Sequence, residues 1–174
     1  MFVFQFLAKF FKILSSAATP GQISGGFILG MIIGLTPFWS LHNLIIILLI
    51  IILNVNITMS IFSFGIFSLI AYLIDPLFHN FGYFILVDVK MLHGLWLTLY
   101  NIPILALSKY NNTVVMGSFL TSLILLVPFY FMMKKTVVAY REKLEPIVLK
   151  WKIIKVIKGS KLYSVYGKLA DWRQ

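Results

Sequence analysis

The chain has 174 residues, of which 60% are hydrophobic and only 11% charged, with a formal charge of +10. Soluble domains carry about 25% charged residues, so a water-exposed surface cannot be built from this mixture, and the composition places the chain in a membrane. With no cysteine, disulfide frameworks, thiolate zinc sites and thiol catalysis are excluded.

Residues 1–18 open the chain as an amphipathic segment. On a helical wheel Gln5, Ala8, Lys9 and Lys12 share a narrow sector, and Phe2, Phe4, Phe6, Phe10 and Phe11 help to fill the rest. That pattern predicts a helix lying in the interface with its aromatic side in lipid. A cleaved signal peptide fits poorly, because Lys9 and Lys12 interrupt the apolar stretch.

Between Ile13 and Ile74 there is no Asp, Glu, Lys or Arg. As one continuous helix this run would be roughly 93 Å long, about three times the hydrocarbon thickness, so it must fold back on itself. Thr19-Pro20-Gly21-Gln22 reads as a helix start, with Thr as cap and Pro at the first turn. That helix breaks at Thr36-Pro37-Phe38-Trp39-Ser40, and a second apolar run from Leu41 to Leu53 ends at Asn54-Val55-Asn56. At about 22 and 20 Å, neither crosses a ~30 Å core comfortably. The simplest solution is a re-entrant helical hairpin over residues 20–53, entering from the cytoplasmic side and turning at Pro37. Two thin complete crossings give the same parity.

Gly26, Gly30 and Gly34 recur every four residues, which strips side chains from one face and lets another helix approach closely. The expected partner is the hairpin's own second arm, with a groove for another protein as the alternative. His42 and Asn43 follow the Pro37 turn and form a polar break at membrane depth. Proton carriage or headgroup contact is one role for them; satisfying a carbonyl freed at the helix break is the other.

Residues 57–74 are predicted to span fully and to end at Asp75-Pro76. Residues 77–112, broken by Gly82, Gly94 and Pro103, read as a second re-entrant or interfacial element on the non-cytoplasmic face. Trp96, Tyr100 and Tyr110 there suit a headgroup belt. The polar groups of this middle region are Asp75, His79, Asp88, His93 and Asn101. No metal-ligand spacing is expected among them: His79 and His93 lie fourteen apart, with neither carboxylate in helical register to either. Asn101, Asn111 and Asn112 are explained by turns and capping.

Residues 113–133 form the second predicted span, with Pro128 in its last third and Lys134-Lys135 closing it. Residues 134–174 are a cationic tail holding eleven Lys/Arg against Glu142, Glu145 and Asp171. Lys134, Lys135, Lys150, Lys155 and Lys158 are assigned to anionic phospholipid, since juxtamembrane cations gain about 1 kcal/mol each near a charged leaflet. Nucleic acid is the weaker explanation of the interleaved Trp151, Tyr163, Tyr166 and Trp172. Cationic flanks stay in the cytoplasm, so both termini are expected there. The expected fold is therefore an all-α membrane protein: two full spans, short re-entrant hairpins, an interfacial amphipathic N-terminal helix and a cytoplasmic C-terminal helical tail. No catalytic constellation, cofactor motif or metal cluster is visible.

Several ordered motifs resemble a bacterial membrane family, the domain of unknown function twenty-sixty-two. These are Thr19-Pro20-Gly21-Gln22-Ile23, the Gly26–Gly34 stretch, Leu35-Thr36-Pro37 and Leu41-His42-Asn43-Leu44. Asn54-Val55-Asn56, Tyr72 to Leu77, Leu92 to Trp96, Leu99 to Pro103 and Asn111 to Val115 look like its short stand-alone subfamily. The likeness covers roughly residues 20–135. Many members carry Gly near the position of Ser40 and an Asn-Pro pair where this chain has Phe67-Ser68, so a site built on those residues does not carry over. The resemblance implies an inner-membrane location and no established activity. It also implies a non-enzymatic subunit that docks the single membrane helix of a larger envelope protein and assists phospholipid transport. A small transporter or flippase-like module for a lipid-linked or small polar substrate is the alternative.

Overall fold

The computed structural model describes residues 2–106 and 108–150, and every regular element among them is helical. In chain order these are α1 (Phe2–Leu14), α2 (Pro20–Leu35), α3 (Leu41–Ile52), α4 (Ile57–Tyr83), α5 (His93–Tyr100), α6 (Pro103–Ala106), α7 (Thr113–Ala139) and α8 (Glu145–Lys150). A π-helical turn, Phe84–Asp88, extends α4, and another, Tyr140–Leu144, joins α7 to α8.

Local chemistry sets the helix starts. Thr19 caps α2 through a reciprocal box: the Gln22 amide donates to Thr19 Oγ1 at 3.2 Å and the Thr19 amide to Gln22 Oε1 at 2.8 Å, satisfying two otherwise orphan donors. Asn56 caps α4 by accepting from the Met59 amide, and Asn112 caps α7 by accepting from Val114 and Val115. Asn54 takes a left-handed φ of 50° in the turn before α4, a conformation Asn tolerates well.

The centre of the molecule is α2. It is apolar around its whole circumference and buried along nearly its whole length from Ile23, as a helix without a polar face must be. The long helices α4 and α7 enclose it. Positions Gly26, Gly30 and Gly34 meet Asn56, Ser60 and Phe64 in turn, so α2 and α4 run parallel. Gly82 meets Thr113 while Phe78 meets Gly117, so α4 and α7 run antiparallel. Phe27, Phe67 and Phe129 join the three helices, with ring centroids 5.6–6.4 Å apart.

α4 and α7 are each 27 residues long, about 40 Å. With their π extensions they are long and apolar enough to cross a bilayer, yet only 28% of the most apolar window of each is buried. A core helix of a soluble protein would be mostly covered. Here Ile61, Leu69, Tyr72, Leu73, Ile124, Val127 and Phe131 point outward.

Three sequence expectations need correction. The helix expected to end at Asp75-Pro76 runs through Pro76 to Tyr83. Proline removes one backbone bond, but packing of buried Phe78 and Gly82 against α7 holds the following turns helical. Residues 77–112 are consequently not one re-entrant element. The first seven complete α4, and the rest are short, mostly exposed helical pieces at its far end. Likewise Lys134 and Lys135 do not close α7, which continues to Ala139 because Met133, Val137 and Tyr140 are still buried.

α1 also departs from expectation. Its aromatic side does not simply face lipid: Phe6 and Phe10 stack on Phe62 of α4 at 4.5 and 5.4 Å, and Phe11 stacks on Tyr140 at 5.4 Å. Residues 151–174, including Lys155 and Lys158, lie outside the described residues, as does the side chain of Lys150.

Candidate functional site

The α2–α3 hairpin turns inside the length of the long helices. Its break lies beside α4, where Phe38 and Phe64 rings are 5.9 Å apart, and beside α7, where His42 lies 4.8 Å from Phe119. Beyond Ser68, next to Gly34, α4 continues for roughly 22 Å to Tyr83. Phe119, beside His42, is six residues or about 9 Å from the start of α7, so the tip of the hairpin stops about 10 Å short of the far end.

The break is stitched by Asn43. Its Nδ2 donates to the carbonyls of Pro37 at 3.0 Å and Phe38 at 3.2 Å. The Thr36 hydroxyl lies 2.8 Å from Ile32 O and 2.9 Å from Asn43 Oδ1, sharing its one proton between them. Asn43 is 1% exposed, so this amide replaces water for carbonyls that lost their helical partners. Asn43→Leu keeps the volume but removes both donations, leaving Pro37 O to the Ser40 hydroxyl and Phe38 O to the Ser40 amide, so each lost bond costs about 0.5–1.5 kcal/mol. The expected result is a fall in the melting temperature of the detergent-solubilised protein, with Asn43→Gln restoring little because its amide is one methylene too far.

His42 takes no part in that network. Its Nε2 is buried without a hydrogen-bond partner, beside the Phe119 ring. Beyond the break, Trp39 is 85% exposed, and a shallow depression of about 310 Å³ is lined by Phe38, Trp39, Leu41, Leu44 and Ile47 among others. α3 then returns with only Asn43 and Ile46 buried, leaving Leu44, Ile45, Leu48, Ile51 and Ile52 outward.

The glycine stripe meets α4, not α3. A Cβ on Gly26 or Gly30 would strike the backbone carbonyl of Asn56 or Ser60, and one on Gly34 would lie 2.8 Å from Phe64 O. Ser63 Oγ adds a 2.6 Å bond to Phe27 O across the same seam. The expected pairing with the second arm fails because that arm is bulky at nearly every position, whereas α4 supplies Ser60, Ser63 and Ser68. Spacing alone could show the stripe but not the helix it faces.

The polar residues expected on the non-cytoplasmic face do not converge. His79 Nδ1 is 2.7 Å from Thr113 Oγ1, His93 Nε2 donates to Val87 O at 2.9 Å, and Asn101 is exposed. Because α4 is unbroken, Asp75 and His79 do stand one turn apart, contrary to the register expected. Among the described residues no three His, Cys, Asp or Glu side chains form a group able to hold a metal.

Two features escaped the sequence. Gly82 and Gly117 form a second close crossing, where a Cβ would strike the backbone carbonyl of Thr113 or Phe78 respectively; as isolated glycines they make no stripe. Arg141 reaches back to the end of α1. Its Nε donates to Leu14 O at 2.9 Å and its Nη2 to Ser16 O at 2.9 Å and Ala18 O at 2.7 Å. Ser15 and Tyr140 hydroxyls pair at 3.1 Å beside it. A tail cation gives no hint of such a partner more than 120 residues away.

These elements define an all-helical protein with two long apolar helices wrapped around a short buried one. Over residues 5–145 the chain matches the family described as "Uncharacterized protein conserved in bacteria (DUF2062)", and it belongs to that family. No curated protein and no solved structure matches it.

Proposed function

We propose that this chain is a non-enzymatic subunit of the bacterial inner membrane, with both termini cytoplasmic, that docks a single-span envelope protein and eases phospholipid into it. The observation that carries the reading is the α2–α3 hairpin turning beside the middle of α4, with most of α3 bare and apolar. A hairpin that penetrates only part of a bilayer thins the lipid around it at modest cost, which lowers the barrier to lifting a phospholipid out. The glycine stripe is occupied by α4, so the surface offered to a partner helix is the outer face of α3. The exposed Lys9, Lys134 and Lys135 at the end where α1 docks suit anionic lipid.

Photo-crosslinking groups at Ile45 and Leu48 in native membranes test the reading. The expected product is an adduct with one protein carrying a single membrane helix, absent when the group is placed at Leu73, exposed on α4. Adducts with lipid alone would overturn the docking assignment.

The orphan Nε2 of His42 favours a second reading, a small transporter with His42 as its proton carrier. In that case His42→Leu abolishes reconstituted substrate flux. On the subunit reading, removing an unpaired buried polar group leaves the melting temperature unchanged or higher, with function intact.

A further inference from the structure

At the far end of α4 and α7 a second depression of about 260 Å³ is walled by Trp96, Tyr100 and Tyr110, with Leu86, Leu97 and Asn111 completing it. We propose that this aromatic cleft binds an alkylammonium group, as carried by choline- and ethanolamine-type phospholipid headgroups.

The hydrogen bonds of the walls select the ligand. The Trp96 indole N–H donates to Ile85 O at 3.3 Å, and the Tyr110 hydroxyl donates to Trp96 O at 2.8 Å. Both strong ring donors are thereby turned into the protein, away from a ligand. What remains toward the cleft is ring faces, the exposed Tyr100 and the Asn111 amide. A wall whose only free donors are the Tyr100 hydroxyl and the Asn111 amide, with no cationic side chain in it, suits an anion badly, while the negative ring faces attract a cation within about 6 Å of their centroids. The Trp96 and Tyr110 centroids are 6.1 Å apart with planes tilted by 35°, so one cation can lie within reach of both.

The walls are also held in place before any ligand arrives. Ile85 belongs to the π-helical turn after α4, a break in helical bonding of the kind often found at functional sites. Lys109 adopts a left-handed φ of 58°, which a non-glycine residue enters at a cost of about 1–2 kcal/mol. That turn, closed by the Asn112 amide donating to Lys109 O at 2.9 Å, brings Tyr110 back over Trp96. Partial burial and the neighbouring Tyr100 phenol both push the Tyr110 ionisation upward, so its hydroxyl stays a donor. The exposed charges of this end are Asp88, Lys90 and Lys109. Their net of one positive charge works against a cation, so the rings must provide the selectivity.

The cleft lies at the opposite end of the bundle from α1, so its chemistry can be tested whatever α3 docks. The test is a saturation-transfer NMR titration of the full chain in deuterated detergent. The ligands are choline chloride and its neutral isostere 3,3-dimethyl-1-butanol. Choline is expected to saturate in the millimolar range and the isostere to bind at least about fivefold more weakly, matching a cation–π gain near 1 kcal/mol. Tyr100→Leu, at an exposed site, should weaken choline about two- to fivefold, while Tyr110→Phe retains a ring. Equal binding of the isostere, or choline binding indifferent to Tyr100→Leu, overturns the proposal. Repeating the titration in nanodiscs decides the source: suppression by phosphatidylcholine but not by phosphatidylglycerol identifies the headgroup, and suppression by neither identifies a free alkylammonium.

Discussion

Gly30→Leu is expected to abolish a stable fold, and Gly30→Ala to come close. The Cβ alone would enter the space held by the carbonyl oxygen, carbonyl carbon and Cα of Ser60. Those are backbone atoms of a 27-residue helix, which cannot turn aside as a side chain can. Relief requires α4 to move off α2, opening the seam that also holds Gly26, Gly34 and the Ser63–Phe27 bond. Overpacking typically costs about 1–3 kcal/mol and more where nothing yields; we expect at least ~3 kcal/mol, a large share of a domain's stability of about 5–15 kcal/mol. Two controls grade the effect. At Gly25 a Cβ meets only the Val55 side chain, its Cγ1 at 2.8 Å, which can be relieved by a side-chain shift without moving a helix, so alanine should cost less than at Gly30. At Gly65 it meets nothing within 4 Å, so alanine should be neutral or stabilise through helix propensity by up to about 1 kcal/mol. Thermal denaturation and size-exclusion chromatography in detergent read the series. If Gly30→Ala and Gly65→Ala melt alike, the α2–α4 seam is misplaced.

Arg141→Ala is expected to free the N-terminal segment while leaving the bundle assembled. The last carbonyls of α1 and its following turn have no helical partners and carry the negative end of the helix dipole. One guanidinium fork serves three of them, at Leu14, Ser16 and Ala18. Hydrogen bonds to charged groups contribute about 1.5–3 kcal/mol each when well shielded. For this half-exposed set we expect a total of about 2–3 kcal/mol. Limited proteolysis should cut the variant between residues 15 and 19 at least tenfold faster than the parent. Arg141→Lys should recover little, since an ammonium is a point donor and cannot span the three acceptors. Unchanged cleavage in the alanine variant would mean that the aromatic stacking of Phe10 and Phe11 holds α1 without help.

Nearest-neighbour chemistry was legible in the chain. Thr19 before Pro20, Asn56 before Ile57 and Asn112 before Thr113 are caps that act over two or three residues, so they can be read where they stand. The charge-free runs likewise announce apolar helices without a charged face, and Pro37 with Asn43 marks a break and the group that mends it. The candidate site is less legible. His42 and Asn43 look alike in sequence, yet one amide closes the break while the neighbouring imidazole is left unpaired.

Tertiary structure decided everything that depends on a distant surface. Asp75-Pro76 carries a local stop signal, but one missing backbone bond weighs less than the α4–α7 contact that Phe78, Gly82 and Gly117 complete. The stripe of Gly26, Gly30 and Gly34 announces a close approach without naming its partner, because spacing records what is absent from a face and not what fills the gap. Arg141 and the Trp96–Tyr110 cleft show the same limit: their hydrogen bonds end on backbone carbonyls, which every residue has and no sequence distinguishes.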